Sequence, residues 1–471
     1  MALIAALSAR QSEHRGDKIM SVTVDKLVKS NLDLMLKAGD FLWKNPEVGF
    51  KEYKTDAYMK NAFKELGYAI TEAEGITGFY TTVDTDKKGP TVLVLAEMDA
   101  LYCFDHPDRD KETGAVHACG HCAQMAILLG LAACLKEKDI LKDLCGKIKL
   151  CVVPAEEGVD ISYRKQLRDK GVIKYLTGKQ EFIGRGYFDD VDIAFMLHST
   201  VLDNPSQKFT IKKGFNGVIM KEIKFIGKAA HAGGSPDKGI NALNAASLAM
   251  QAIGLLRETF KDDEHIRFHP IITKGGDAVN AVPAKVMMES YLRAASVGSL
   301  NDTNEKINFA IISAAAAIGA TVEINDFHGY SPMLNDKNFT KLALETFREV
   351  AGDDSFADQS DMWNTGSTDM GDVSCLIPSI HPYVAGATGT AHGKDYYLSE
   401  LQKIYSNGLA FELTLLEKLL KNDAEKAYEI VKAFKPVFKT KAEYLRYMDT
   451  QTVLIKSSVN SAESKINIIK D

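Results

Sequence analysis

T-V-L-V-L-A-E-M-D, residues 91–99, is a run of β-branched residues and leucine that closes on two carboxylates. A short apolar run ended by polar residues is the pattern of a strand covered on both faces, as the strands of a parallel sheet are. Two further runs repeat it. Ile148 to Val153 (I-K-L-C-V-V) ends in Pro154-Ala155-Glu156-Glu157-Gly158, and Asp192 to Leu197 (D-I-A-F-M-L) ends in His198. Open α/β sheets bind their ligands beyond the carboxyl ends of the strands, so all three runs are expected to deliver polar residues to one rim. One carboxylate after a strand is usually a solvated loop residue or a helix cap. Three such strand ends in one chain are harder to dismiss.

Between the first two runs stands V-H-A-C-G-H-C-A-Q-M-A-I-L-L-G, residues 116–130, with His117, Cys119 and His121 just ahead of an apolar, helix-like stretch. Three readings stay open on these residues alone. Thiolate and imidazole hold zinc or a late first-row metal, and the C-x-H spacing brings both to one ion. Cys119-Gly120-His121-Cys122 is also a C-x-x-C pair of the redox type, although Ala118 stands where an aromatic residue usually precedes such a pair. The third reading is a helix start that contains two cysteines.

A chain of 471 residues exceeds one ordinary core, and its 45% hydrophobic content is enough to fill two. A net charge of -6 with no long basic block leaves no footprint for nucleic acid. Seven cysteines without a disulfide framework argue for a reducing compartment, and the expected location is the cytoplasm. No run reaches the roughly 18 apolar residues that span a bilayer. The short apolar stretch within Met1–Lys18 lacks a basic flank and is marginal for a signal peptide, and Met20 is an alternative start. There is no G-x-S-x-G elbow, no G-x-G-x-x-G after a strand and no P-loop, which disfavours serine hydrolases, dinucleotide enzymes and nucleotide hydrolases.

The combination A-E-M-D-A-L (96–101), H-A-C-G-H (117–121), P-A-E-E-G (154–158), M-L-H (196–198), A-A-H-A-G (229–233) and G-G-D-A-V-N-A-V-P (275–283) resembles the co-catalytic metallopeptidase family of aminoacylases and glutamate carboxypeptidases. It is most similar to the amidohydrolase subfamily of hippurate, indole-acetyl-amino-acid and aminobenzoyl-glutamate hydrolases. The likeness runs in order from about Leu34 to Leu415. S-T-D-M-G-D-V-S (367–374), I-H-P-Y (380–383) and A-H-G (391–393) resemble aminobenzoyl-glutamate hydrolases and the related dipeptidases that release a basic amino acid.

The resemblance implies an α/β fold: a mixed, mostly parallel sheet with helices on both faces, interrupted by a smaller α/β lid that dimerises. The implied boundaries are 20–215 and 324–420 for the catalytic domain and 216–323 for the lid, with 421–471 an extension of unknown role. In that extension Ala424 to Phe434 is expected to be helical and the tail S-S-V-N-S-A-E-S-K mobile. Cys119, His121, Glu157, His198 and His392 fall on the family's metal ligands, which implies two divalent ions, zinc or manganese. Glu156 falls on the general acid/base that moves a proton from water to the departing amine. Asp99 is expected to orient a ligand from behind, and His117 either does the same or is structural. His231 would stabilise the oxyanion from the lid, and Asn280 and Arg293 would hold the substrate carboxylate, with a surface ion pair as the alternative for Arg293.

The implied substrate is a small N-acyl amino acid of aminobenzoyl-glutamate or hippurate type, and the alternative a dipeptide ending in a basic residue. A C-x-x-C oxidoreductase and a non-catalytic binding protein are the remaining alternatives. The implied assembly is a homodimer through the lid, with neither nucleic acid nor membrane as partner. The chain departs from the subfamily at Cys122 and Gln124, where Asp and His are common. Neither position is a ligand, but the neighbouring hydrogen bonds must differ, and Cys122 becomes a potential disulfide partner for Cys119.

Overall fold

The computed structural model describes residues 24–460 and 465–470. The stretch Met1–Lys18 and the alternative start Met20 lie outside the described residues. The chain forms two compact units: one of residues up to Lys213 with Asn335–Met362 and Ile377–Pro436, the other of Gly214–Leu334, Trp363–Leu376 and Val437–Asp471.

The first unit is built on a six-stranded sheet in the order Thr71–Glu72, Phe79–Asp84, Lys147–Val153, Thr91–Glu97, Ile193–Phe195, Ser379–Ile380. The last four strands pair in parallel and the first two are antiparallel additions. All seven residues of Thr91–Glu97 are buried, so both faces of that strand are covered, as its unbroken apolar sequence requires. The helix His121–Cys134 packs on this strand and is buried nearly all round, the signature of a core helix. Helix Leu401–Leu420 packs on it in turn, and both contribute to the largest apolar cluster of the unit.

Within that cluster Glu412 is only 3% exposed, and burial pushes its carboxyl from the usual 4.5 up to about 8. Its Oε2 has no hydrogen-bond partner among the described residues. The folded chain holds a proton there that the unfolded chain releases above about pH 4.5. Stability from this group is therefore complete at acid pH and is lost as pH rises through about 8. Glu412→Gln should remove that slope, which amounts to about 1.4 kcal/mol per pH unit within the window. Melting temperatures of parent and variant that fall in parallel between pH 6 and 9 would refute this.

The second unit is a six-stranded antiparallel sheet in the order Arg267–Lys274, Lys285–Ala294, Gly217–Ile226, Thr321–Tyr330, Val453–Asn460, Lys465–Lys470. Burial alternates along Lys285–Ala294, so one face of the strand meets a core shared with helices Ala242–Leu256 and Val297–Ala317. The unit extends beyond the 216–323 span. Strand Thr321–Tyr330 pairs with Gly217–Ile226 along its length and crosses residue 323 without a break. The terminal extension is also divided. Helix Glu425–Ala433 belongs to the first unit, whereas the residues after Pro436 join the second.

Ser457 to Asn460 of the tail expected to be mobile lie in a strand paired with Lys465–Lys470, and residues 461–464 fall outside the described part. The β-favouring start V-L-I suits that strand, while the polar K-S-S that follows concealed it. Helix Lys441–Thr450 is anchored by Tyr444, whose hydroxyl donates to Asp372 (3.0 Å), a carboxylate that also accepts from Ser331 Oγ (2.7 Å). No helix among the described residues is long and apolar enough to cross a membrane.

Candidate metal centre

Strands Thr91–Glu97 and Lys147–Val153 run side by side with Glu97 opposite Val153, so their carboxyl ends stop at the same level. The backbone then turns sharply. Ala155 adopts φ 56°, a conformation that costs a residue with a Cβ about 1–2 kcal/mol, so its surroundings must hold it. They do. Glu52 accepts the Ala155 N–H (2.9 Å), Asp99 Oδ2 accepts the Glu157 N–H (2.8 Å), and buried Arg164 donates to the carbonyls of Ala155 (3.2 Å) and Glu157. Glu156 and Glu157 are thereby presented at the rim, 7% and 8% exposed.

Cys119 and His121 arrive from the other side, at the start of helix His121–Cys134. Gly120 between them has φ 92°, and a Cβ there would stand 2.6 Å from the Tyr396 hydroxyl and closer still to Ser199 Oγ. Gly120→Ala should therefore displace one ligand from the other. The left-handed backbone alone costs about 1–2 kcal/mol, so metal affinity should fall at least about tenfold with the far-ultraviolet spectrum unchanged. Parent-like affinity would show that the turn tolerates a side chain.

The third strand end supplies His198, and the segment after Ala387–Thr388 supplies His392, itself at φ 65°. Ligand atoms of Cys119, His121 and His198 lie within 4.8 Å of one another, as do those of Cys119, Glu157 and His392, and those of His121, Glu156 and Glu157. All five expected ligands and Glu156 thus converge. Cys119 Sγ is 3.4 Å from His198 Nε2, and His392 Nε2 is 3.5 Å from Glu157 Oε1.

The protonation pattern fits a cation. His198 Nδ1 donates to the Ser199 carbonyl (2.6 Å), which leaves its Nε2 with a lone pair turned inward. His121 Nδ1 donates to the Asp99 carbonyl (2.8 Å), and although burial opposes its charge, Cys119 and Glu97 hold the ring well above the usual imidazole range, so its Nε2 carries a proton that a bound metal would replace. Burial holds His198 neutral, lowering it to about 4. Burial also keeps the Cys119 thiol protonated, reinforced by Glu157 and opposed by His121; a bound metal is what would ionise it. His121 Nε2 and Glu157 Oε1 are buried without a hydrogen-bond partner among the described residues. Orphaned inward-facing donors of this kind, drawn from Cys, His and Glu, fit divalent metal.

Asp99 makes the contacts expected of it, 3.4 Å from His121 Nδ1 and bonded to the Glu157 amide. Burial alone would raise its carboxyl, but His121 and Arg164 hold it below the usual range. His117 is different: buried and lowered to about 3 by desolvation, with neither ring nitrogen hydrogen-bonded among the described residues. Cys122 points into the main apolar cluster, 1% exposed, and burial pushes its thiol up to about 12. A thiol so buried is a poor partner for exchange chemistry, so the redox reading and the Cys119–Cys122 disulfide lose their basis.

The remaining three candidates lie in the second unit. His231 is exposed, and its Nδ1 accepts from the amides of Gly234 (2.9 Å) and Gly233 (3.2 Å), so the ring proton sits on Nε2. Exposed Asn280 occupies the adjoining loop, where its carbonyl accepts the Ala232 N–H at 2.9 Å. Arg293 forms no ion pair among the described residues; its guanidinium donates to Ser367 Oγ (2.6 Å). The surface-salt-bridge alternative therefore has no partner to support it.

Several residues of the centre carried no signal in the sequence. Glu52, which flanks helix Tyr53–Glu65 and lies 103 residues from Ala155, and Arg164, within helix Ile161–Asp169, hold the Glu156 turn. Lys179 is fully buried against Glu97, and His381 stacks on His198 with ring centroids 5.7 Å apart.

A family model described as Peptidase family M20/M25/M40 matches residues 93–418. The chain belongs to this peptidase family. It is a metal-dependent hydrolase of amide or peptide C–N bonds. Among curated proteins it is 30% identical to a human Xaa-Arg dipeptidase over 370 residues, 75% of this chain and 77% of that one. It is also 30% identical to one of the subunits of p-aminobenzoyl-glutamate hydrolase from Escherichia coli over 259 residues, 53% of this chain and 55% of that one. Among solved structures, a dinuclear metal-binding M20 peptidase from Bacillus subtilis superposes with a TM-score of 0.62 at 21% identity, covering 83% of this chain and 99% of that one. That superposition places the mixed α/β fold of this chain with the family's.

Proposed function

We propose that this M20-family hydrolase is a two-metal dipeptidase that releases a carboxy-terminal basic amino acid. The observation that carries the chemistry is the pair of ligand triads sharing one thiol: Cys119, His121 and His198 on one side, Cys119, Glu157 and His392 on the other. These five residues would hold two divalent ions, zinc or manganese. Such a pair, when bound, acidifies water and polarises the scissile carbonyl. Glu156, adjacent to ligand Glu157 and close to His121, accepts the proton of the attacking water and passes it to the departing amine. The Nε2–H of His231 would donate a hydrogen bond to the oxyanion while keeping its proton, a role supported by the tautomer its amide partners favour. Asn280 and Arg293 receive the free carboxylate.

The substrate class is supported by the extent of the likeness to human Xaa-Arg dipeptidase, three quarters of both chains, against about half for the Escherichia coli aminobenzoyl-glutamate hydrolase. Dipeptides ending in arginine or lysine should therefore be cleaved with higher kcat/KM than aminobenzoyl-glutamate, hippurate or indole-acetyl amino acids, each assayed with manganese and with zinc. A preference for the acyl-glutamate would instead establish the N-acyl-amino-acid reading, which the Escherichia coli relative keeps open.

The second unit is read as the lid and dimerisation domain. Strand Arg267–Lys274 forms one edge of its sheet, with Ile271 61% exposed, and the terminal strand Lys465–Lys470 the other, with Ile469 57% exposed. Light scattering at micromolar concentration should report a dimer; a monomer would refute the pairing.

A further inference from the structure

We infer that Glu97 is a sixth protein group of the metal centre, a carboxylate on the His121 side that contributes directly to ion affinity there and is aimed by Gln124. The inference rests on the two-metal reading.

Glu97 closes strand Thr91–Glu97 and is 1% exposed. Three contacts fix it. Lys179 Nζ bonds Oε1, Gln124 Nε2 donates to Oε2 (2.8 Å), and Gln124 Oε1 accepts the Glu97 N–H (3.1 Å). One amide side chain thus grips both backbone and carboxylate, which needs a donor and an acceptor side by side, as Gln offers. The unusual residue at 124 is the one that sets the direction of Glu97.

What Glu97 faces is the inward nitrogen of His121. Glu97 Oε2 lies 3.2 Å from His121 Nε2, a buried nitrogen without an aligned hydrogen bond, so the two can share either a proton on the ring or a cation that replaces it. Once His121 gives up that proton to ligate, its lone pair and the carboxylate oxygen at that separation repel unless a cation lies against both. Glu156 adds to this, with a carboxylate oxygen within 4.8 Å of one on Glu97. Lys179 offsets one negative charge but is bonded to the other oxygen, Oε1, and leaves Oε2 turned toward the histidine. Ion pairs of Glu97 with Lys179 and His121 do not by themselves account for the approach of the Glu156 carboxylate to the same group, which a shared cation does.

The two accounts differ in sign. Breaking either partner of a structural ion pair leaves a buried unpaired charge and should weaken everything nearby alike. If Glu97 binds metal, its loss weakens one ion, whereas loss of Lys179 removes a competing cation. The test is a zinc titration of the full-length, chelator-stripped protein against a chromophoric chelator, with thermal unfolding of the metal-free forms alongside. In the parent two ions should bind. Glu97→Gln should weaken one ion at least about tenfold, the scale of effects from groups that support a metal site, and leave the other within about twofold. Lys179→Met should hold or tighten that same ion.

Parent-like affinities in Glu97→Gln overturn the inference, and so does equal weakening in both variants. Should Lys179→Met not fold, the double variant Glu97→Leu with Lys179→Met removes the pair without stranding a charge. Weak binding of one ion then supports the assignment and parent-like binding overturns it. A parent that binds no zinc, or one ion only, sinks the two-metal reading instead, a separate result.

Discussion

Glu156→Gln is expected to lower kcat by about 10²–10⁴-fold, the usual contribution of a general acid/base, while the protein keeps its full complement of metal. Glu156 and Glu157 are neighbours in sequence and are separated in role by the turn they share. Glu157 joins Cys119 and His392 in one ligand group, whereas Glu156 reaches the His121 side. The turn itself is held through backbone atoms of Ala155 and Glu157, so replacing the Glu156 carboxylate by an amide of the same shape leaves those contacts untouched. What is lost is the ability to accept a proton. Elemental analysis of the purified variant, read together with kcat on an arginine-terminated dipeptide, separates the two possibilities. Metal loss would make Glu156 a ligand. More than about a tenth of parent activity with metal retained would place the proton transfer elsewhere.

The features legible in the sequence were those written within a few residues. The runs ending at Asp99, Glu157 and His198 form adjacent parallel strands because uninterrupted β-branched and leucine sequence is stable only where both faces are covered. Strand ends at one level then bring their polar residues together whatever the details of the loops. The supporting groups were illegible for the opposite reason. Arg164 sits in Y-R-K-Q-L-R, which reads as a solvated helix, and Lys179 in G-K-Q-E reads as a surface turn. Both are buried because they reach carbonyls and carboxylates that only the folded chain brings near. The edges of the second unit escaped for a related reason. A strand such as Thr321–Tyr330 announces its alternation but not its partner, and the partner Val453–Asn460 lies more than a hundred residues away.

Arg164→Met should be the most damaging change outside the residues that meet metal or substrate, lowering both stability and metal content. The guanidinium is 1% exposed and donates to three main-chain carbonyls: Ala155 at 3.2 Å, Leu176 at 2.8 Å and Glu157. Methionine fills much of the volume and offers no donor. The Ala155 and Glu157 carbonyls keep N–H partners in Gly178 (3.3 Å) and Val159 (2.8 Å), whereas the Leu176 carbonyl is left buried and unpaired, a cost of about 1–3 kcal/mol in unfolding free energy. The local consequence is sharper than the global one. The left-handed φ of Ala155 is held by Glu52 at its amide, by Arg164 and Gly178 at its carbonyl, and by the Arg164 contact to the Glu157 carbonyl two residues on. With both guanidinium contacts gone, the turn can relax toward ordinary backbone angles and rotate Glu156 and Glu157 off the rim. Activity should then fall by at least about 10², the scale on which misplacement of catalytic groups acts, and the ion held by Glu157 should be lost with it. Glu156→Gln and Arg164→Met are thus distinguished by metal analysis: the first keeps two ions, the second does not. An Arg164→Met protein that loses stability yet retains both ions and parent kcat would show that the Glu156–Glu157 turn is held by Glu52 and Asp99 alone.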